Sequence, residues 1–228
     1  MHGRGLGAPM DLAYKGAKAA YDRLKALNVR LPFYPVYLAK VTAAFAAMAG
    51  ASGGLKELDL RSEVGRFFEG LGAHLGDGQL DEALAAWHTP FAAEMSLDPK
   101  APEVLAGLLS QGLRMGIITN SVWPEALITK HLEQLNVKRF FEVVVSSANV
   151  GFRKPSPAIF EAALKRLGLQ ASDCVCVGDR RKEDVVGAQQ VGMRSVLLRQ
   201  QGSDEPGPQP EQTIDSLDAL PSALAAMT

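Results

Sequence analysis

The chain has 228 residues, of which 47% are apolar and 21% charged, and its net formal charge is −1. This length allows one well-packed core, or a core with a modest second domain. The balanced charge excludes the basic surface that nucleic-acid-binding proteins need. No apolar run is long enough to span a membrane and no signal peptide is visible, so we expect a cytoplasmic protein without a membrane partner.

The first part of the chain predicts helices only. Apolar residues recur at helical spacing, and glycines separate the periodic segments. The predicted helices cover residues 9–27, 37–48, 60–75 and 79–95. We therefore predict a helical bundle as the first domain, residues 1–97, in which residues 1–8 form a flexible leader.

The second part, residues 98–228, alternates between short apolar strands and helices. The predicted strands are 113–118, 141–146, 174–177 and 194–198, and the predicted helices are 101–111, 124–135, 155–167, 182–191 and 216–227. Residues 200–212 read as a surface loop. This alternation is typical of a parallel sheet with helices on both faces, so we predict an α/β, Rossmann-like core.

The two cysteines, Cys174 and Cys176, lie on one of the predicted strands. Their spacing puts both side chains on the same face of that strand. Two buried thiols are favoured over metal binding or redox chemistry.

Three polar signals follow the ends of predicted strands, where parallel sheets bind ligands. They are Thr119-Asn120-Ser121, Lys154 in front of Pro155, and the carboxylate pair Asp179 and Asp184. A hydroxyl and backbone N–H groups can cradle a phosphate, and a lysine can offset its charge. Carboxylate oxygens are ligands that Mg²⁺ accepts together with substrate phosphate.

Each signal alone also has a purely structural interpretation. Thr119-Asn120-Ser121 could be a turn or a helix cap, and Lys154 an ordinary solvated lysine. Asp184 could be favoured by the dipole at a helix start, with Asp179 as a turn former. Their joint order along the chain favours the functional interpretation.

That order resembles the haloacid dehalogenase superfamily, whose members are mostly Mg²⁺-dependent phosphatases. Residues 117–121 look like its second motif, 150–155 like its third, and 177–188 like its fourth. Residues 9–97 are similar to its helical cap by pattern and position. The resemblance implies that Thr119, with Asn120, binds the transferring phosphoryl group and that Lys154 offsets charge on it. It implies Asp179 as a Mg²⁺ ligand, with Asp184 as a second ligand or an orienting group.

The chain departs from this pattern in its first motif, an apolar strand that ends in Asp-x-Asp. No Asp-x-Asp occurs in the 228 residues, and Asp11 follows no strand. In the family this strand supplies the nucleophile and general acid and lies centrally in the sheet. We therefore expect that the strand precedes residue 1, that two sheet edges lack a partner, and that Mg²⁺ binding is weak.

The sequence thus predicts a hydrolase of this family, a Mg²⁺-dependent phosphatase of a small phosphorylated molecule, truncated before its nucleophile. As written, such a chain should have little or no activity. The alternative is a catalytically inactive relative that binds a phosphorylated ligand or a protein partner. A dehalogenase needs no metal, so the acidic pair favours phosphate chemistry.

Overall fold

The computed structural model of the chain describes residues 10–49, 54–199 and 206–227. The predicted leader at residues 1–8 and residues 200–205 of the predicted loop lie outside the described residues. The chain divides into a helical unit, Met1–Gly54 with Leu58–Ser96, and an α/β unit, Leu55–Glu57 with Leu97–Thr228. This division differs from the predicted domains at Leu55–Glu57, which packs with the α/β unit, and by one residue at the boundary, where Leu97 belongs to the α/β unit.

The helical unit contains the helices that the apolar spacing predicts. Its elements are α1 (Met10–Ala26), α2 (Tyr34–Ala49), α3 (Leu60–Glu69) and α4 (Asp77–Glu94). Helix α2 begins earlier than predicted, because Pro35 occupies its first turn, where a missing N–H costs nothing.

The core of the helical unit forms where α1 packs along α4. Gly16 of α1 is required there, since a Cβ at this position would collide with the ring of Trp87. Tyr37 of α2 is fully buried, and its hydroxyl donates to the carbonyl of Ala17 at 3.0 Å. The buried hydroxyl is thereby satisfied, as burial of a polar group demands.

The α/β unit alternates helices with short parallel strands. Its helices are α5 (Ala101–Ser110), α6 (Glu125–Gln134), α7 (Ser147–Val150), α8 (Pro157–Leu167), α9 (Val186–Gln190) and α10 (Leu220–Ala225). Its strands are β1 (Gly116–Thr119), β2 (Val143–Ser146), β3 (Val175–Gly178), β4 (Arg194–Leu198) and β5 (Gln212–Ile214). The pairs β1–β2, β3–β4 and β4–β5 are all parallel, which confirms the predicted fold class.

Helices cover both faces of the sheet, as consecutive residues of β2 show. Val144 packs in a cluster with Ile128 and Leu132 of α6. Val145 points to the other face and packs with Ile159 and Phe160 of α8. Successive side chains of a strand point to opposite faces, so the apolar run of β2 fits a sheet buried on both sides.

In the described residues β1 and β3 are not paired with each other, and the sheet forms two parts, β1–β2 and β3–β4–β5. The carbonyl of Met115 accepts a hydrogen bond from the N–H of Glu142, just before β2. The carbonyl of Cys174 accepts one from the N–H of Arg194, the first residue of β4. Because backbone groups alternate in direction along a strand, Gly116, Ile118, Val175 and Val177 direct theirs to the opposite, unpaired edges. We use the term sheet gap for the missing pairing between these two edges.

The sheet gap leaves its strands more exposed than their neighbours. Val177 of β3 is 38% exposed, whereas Val145 of β2 and Val196 of β4 are completely buried. From the sequence we expect the absent strand between β1 and β3, at this gap. The identity of a strand that would fill it stays a prediction.

The structure corrects the sequence prediction in the last third of the chain. Strand β5 was missed, because three residues, the first inside the predicted loop, are too few for a periodic pattern. The predicted helix 182–191 is a π-helical turn, Arg181–Val185, followed by α9. The predicted final helix is a 3-10 turn, Leu217–Ala219, followed by α10.

Among the helices of the described residues, none combines the length and apolar character needed to cross a membrane.

Candidate functional site

Two of the predicted site residues lie at the carboxyl ends of β1 and β3, and two lie in the segments that follow β2 and β3. Thr119 is the last residue of β1, and Asp179 directly follows β3. Both are partly buried. Lys154 lies in the loop between α7 and α8, and Asp184 lies in the π-helical turn.

Lys154 connects the two strand ends. Its ammonium nitrogen lies 3.2 Å from the carbonyl oxygen of Ile118 and 2.5 Å from a carboxylate oxygen of Asp184. The side chains of Lys154 and Asp184 are only 13% and 5% exposed. Burial opposes the charged form of Lys154, but Asp184 outweighs it and raises the lysine pKa. The structure therefore has a buried cation at the Ile118 carbonyl, one residue before Thr119, whereas the purely structural interpretation expects a solvated lysine.

Asp184 is positioned by the turn that follows β3. Its second carboxylate oxygen accepts the backbone N–H of Arg180 at 3.0 Å, next to Asp179. Its carboxyl group packs directly over Gly178, where any Cβ would collide with it. Isolated π-helical turns are frequent at functional sites, and this one turns Asp184 inward. Helix-start stabilisation alone does not explain a carboxylate buried against a lysine.

Asn120 binds the backbone of Lys154. Its side-chain oxygen accepts the Lys154 N–H at 2.6 Å, and its amide nitrogen donates to the Lys154 carbonyl at 3.1 Å. The same nitrogen donates to Glu183 at 3.1 Å. Asn120 thus fixes the lysine loop through its side chain, and its contact with a phosphate stays a prediction.

The acidic side chains of the site meet only part of what Mg²⁺ needs. Asp179 and Asp184 supply the oxygen ligands that this cation prefers. Both oxygens of Asp184 already accept hydrogen bonds, and in the part of the chain that the structure describes no three acidic, histidine or cysteine side chains form a metal-binding group. The residues fit Mg²⁺ in kind but not in number.

Sequence reasoning missed further residues that contact the site loops. Glu57, assigned from sequence to the helical domain, contacts Arg153 and Ser147 of the α/β unit. Arg153 adjoins Lys154 and had no separate role in the sequence prediction. Glu57 belongs to no motif, and no local signal in the sequence marks its distant partners.

Cys176 of β3 and Cys174, which directly precedes this strand, are both free and partly buried. Burial, with Asp184 nearby, raises the pKa of the Cys176 thiol to about 12, although Lys154 acts in the opposite direction. A neutral thiol next to the Lys154–Asp184 pair fits the predicted packing role.

A family model described as haloacid dehalogenase-like hydrolase matches residues 12–192. The chain belongs to the haloacid dehalogenase-like hydrolases. The match includes most of the helical unit, and it also includes Thr119, Lys154 and Asp179.

Curated relatives of this chain are named as phosphatases. A glyceraldehyde 3-phosphate phosphatase of Methanothermobacter thermautotrophicus is 38% identical over 44% of this chain and 43% of its own length. A ribulose-1,5-bisphosphate 5-phosphatase of Halopiger xanaduensis is 36% identical over 58% of this chain and 56% of its own length. The matches thus span about half the length of these relatives.

A solved structure of low sequence identity shares the fold. The 2-haloacid dehalogenase of Pseudomonas syringae pv. Tomato superposes with a TM-score of 0.63 at 23% identity, covering 97% of this chain and 93% of its own. The fold alone therefore does not distinguish phosphatase from dehalogenase chemistry, and this distinction must rest on the residues of the site.

Proposed function

We propose that this haloacid dehalogenase-like hydrolase acts as a phosphatase of small phosphorylated molecules. The observation that carries the proposal is the buried Lys154 ammonium, which contacts the end of β1 and Asp184 behind β3. A fixed cation and a row of polar groups at the carboxyl edge of a parallel sheet suit a phosphoryl group. The phosphatase names of the curated relatives support the same chemistry.

The roles of the residues follow from their placement. Thr119 and the backbone N–H of Asn120 would donate hydrogen bonds to the phosphoryl oxygens. Lys154 would offset the negative charge of the same oxygens, since Asp184 and Asn120 fix its two ends. Asp179 would hold Mg²⁺, with Asp184 as a second ligand or an orienting group, and the remaining protein ligands would come from the strand proposed below. When bound, Mg²⁺ supplies positive charge that stabilises the phosphoryl oxygens.

The nucleophile of the proposed reaction is absent from residues 1–228. We propose that an Asp-x-Asp strand, encoded upstream of residue 1, occupies the sheet gap. The backbone groups of Gly116, Ile118, Val175 and Val177 are directed to that place, which supports the proposal. A carboxylate oxygen of the first aspartate would then attack phosphorus. The phosphorus–oxygen bond to the leaving group would break, and the leaving oxygen would keep its electrons and take a proton from the second aspartate. Water would then hydrolyse the aspartyl phosphate.

The substrate class is proposed from the relatives and from the charge of the site. The names of the two relatives refer to phosphate esters of short sugars. A single buried lysine suits one phosphoryl group better than an extended polyanion. We expect glyceraldehyde 3-phosphate and ribulose 1,5-bisphosphate to be the first compounds to test.

The proposal is tested by reading the coding DNA upstream of Met1 and by expressing the extended chain. We expect an in-frame apolar strand ending in Asp-x-Asp, and Mg²⁺-dependent phosphate release from at least one of these substrates. Residues 1–228 alone should release none, and Lys154→Met should abolish release by the extended chain. An extended chain that cleaves neither these substrates nor p-nitrophenyl phosphate would contradict the proposal.

The second candidate is an inactive member of the family that binds a phosphorylated ligand or a protein partner. The absence of any Asp-x-Asp in the sequence favours it. A stop codon directly upstream of Met1, together with binding of inorganic phosphate but no turnover, would support this candidate. Turnover of p-nitrophenyl phosphate by residues 1–228 would exclude it.

A further inference from the structure

The segment Leu55–Glu57 is part of the α/β unit, although the residues before and after it in the chain belong to the helical unit. It runs antiparallel to Gly151–Arg153, with Lys56 opposite Phe152. The Glu57 N–H donates to the Gly151 carbonyl at 2.9 Å, and the Arg153 N–H donates to the Leu55 carbonyl at 2.7 Å. The backbone of this segment is therefore fastened to the loop that leads into Lys154.

The Glu57 side chain adds a buried ion pair to this attachment. Its carboxylate oxygens lie 3.1 and 3.0 Å from one guanidinium nitrogen of Arg153. The Glu57 side chain is 2% exposed and that of Arg153 is 22% exposed. A charge pair so shielded from water interacts more strongly than one at the surface, and the loss of one partner is costly.

The same carboxylate also reaches the loop after β1. The hydroxyl of Ser147, a fully buried residue, donates to Glu57 and accepts the backbone N–H of Ser121 at 2.8 Å. Ser121 is two residues beyond Thr119. Glu57 thus contacts the lysine loop through Arg153 and the threonine loop through Ser147.

We propose that Glu57 is a positioning residue that fixes the spacing of Thr119 and Lys154. The inference rests on the proposed function, because the two loops matter together only if they bind one phosphoryl group. Misplacement of reacting groups by about 1 Å can cost about 100-fold in rate. Glu57 limits such misplacement because it is a common partner of the threonine loop and the lysine loop.

The first test measures binding of inorganic phosphate to residues 1–228 by calorimetry. Glu57→Gln keeps the shape of the side chain but removes its charge, and we expect at least about fivefold weaker binding. Arg153→Gln should have a similar effect, and the double variant should bind no more weakly than either single variant, since both remove one link. The control is Glu142→Gln, which removes a comparable but half-exposed pair with Arg114 and should not change binding.

The second test separates positioning from general stability and does not depend on phosphate. In Glu57→Gln, amide hydrogen exchange should accelerate at least about tenfold at Ser121 and Lys154. The amides of Val145 and Val196, in buried strands, should change less, because global destabilisation would accelerate all of them alike.

The outcomes distinguish the two proposals. If the parent chain binds no phosphate but exchange accelerates only at the two loops, Glu57 positions them and the phosphate site is what fails. Unchanged exchange at Ser121 and Lys154, or acceleration of equal size throughout the α/β unit, would overturn the positioning role.

Discussion

The ammonium nitrogen of Lys154 and a carboxylate oxygen of Asp184 lie 2.5 Å apart, in an ion pair that is almost completely shielded from water. Asp184 follows β3, and Lys154 reaches the free edge of β1 through the carbonyl of Ile118. The pair therefore joins the two parts of the sheet across the sheet gap. Its loss should affect both stability and the candidate site.

Asp184→Asn should destabilise the α/β unit, because it leaves the Lys154 charge buried with a neutral partner. Breaking a buried pair in this way costs about 3–5 kcal/mol. Urea denaturation measures the free energy of unfolding. The exposed pair Arg114–Glu142 is the control, and Glu142→Gln should cost no more than about 1 kcal/mol. An equal decrease in the free energy of unfolding in both variants would mean that the buried pair stabilises the protein no more than the exposed pair.

Gly178→Ala should disturb Asp184 directly. A Cβ at Gly178 would collide with the Asp184 carboxyl group, and overpacking of this kind costs about 1–3 kcal/mol. Gly107→Ala is the matched control, since this position in α5 has no atom within 4 Å of the added carbon. It should stabilise the helix by about 0.5–1 kcal/mol. Thermal denaturation of both variants checks the opposite signs, and stabilisation by Gly178→Ala would contradict the close packing of Asp184 over Gly178.

The sheet gap should be visible in amide exchange along single strands. The N–H groups of Ile118 and Val177 point to the unpaired edges, whereas those of Ile117 and Cys176 point to paired neighbours. We expect the first pair to exchange at least about tenfold faster than the second, because hydrogen bonding protects amides. Nuclear magnetic resonance resolves the alternation residue by residue. In the extended chain of the proposed function, the difference should disappear, and equal protection in residues 1–228 would argue against a gap.

The Cys176 thiol should be unreactive in the folded protein. Because its pKa is raised to about 12, its thiolate fraction at pH 8.5 should be roughly a thousandfold below that of an ordinary thiol. In Cys174→Ser, which leaves Cys176 as the only cysteine, iodoacetamide should modify the chain only after unfolding. Raising the pH towards 12 should increase the native rate, as long as the fold persists. Rapid native alkylation at pH 8.5 would contradict the buried, neutral thiol.

The long elements of both units could be predicted from sequence because their apolar patterns are strong and local. The helices α1 and α4 follow from helical spacing, and the parallel strands follow from apolar runs such as β2. The short strand β5 and the π-helical turn could not be predicted, since few residues carry each of them and tertiary contacts decide their form.

The candidate site, too, could be predicted from the sequence only in part. Thr119, Lys154, Asp179 and Asp184 could be selected because a parallel sheet brings the ends of its strands to one edge. Sequence could not determine that Lys154 is buried against Asp184, or that Asn120 turns its side chain to the lysine loop. Such pairings join residues 30 or more positions apart, and only the packed chain brings them together.

By itself, the sequence determined the fold class, the order of the polar motifs and the lack of an Asp-x-Asp pair, because all three are local features of the chain. Only the tertiary structure decided that Glu57 belongs to the α/β unit and contacts both site loops. The physical reason is distance along the chain: Ser147 and Arg153 lie 90 and 96 residues beyond Glu57, so their contacts arise from packing and leave no local pattern.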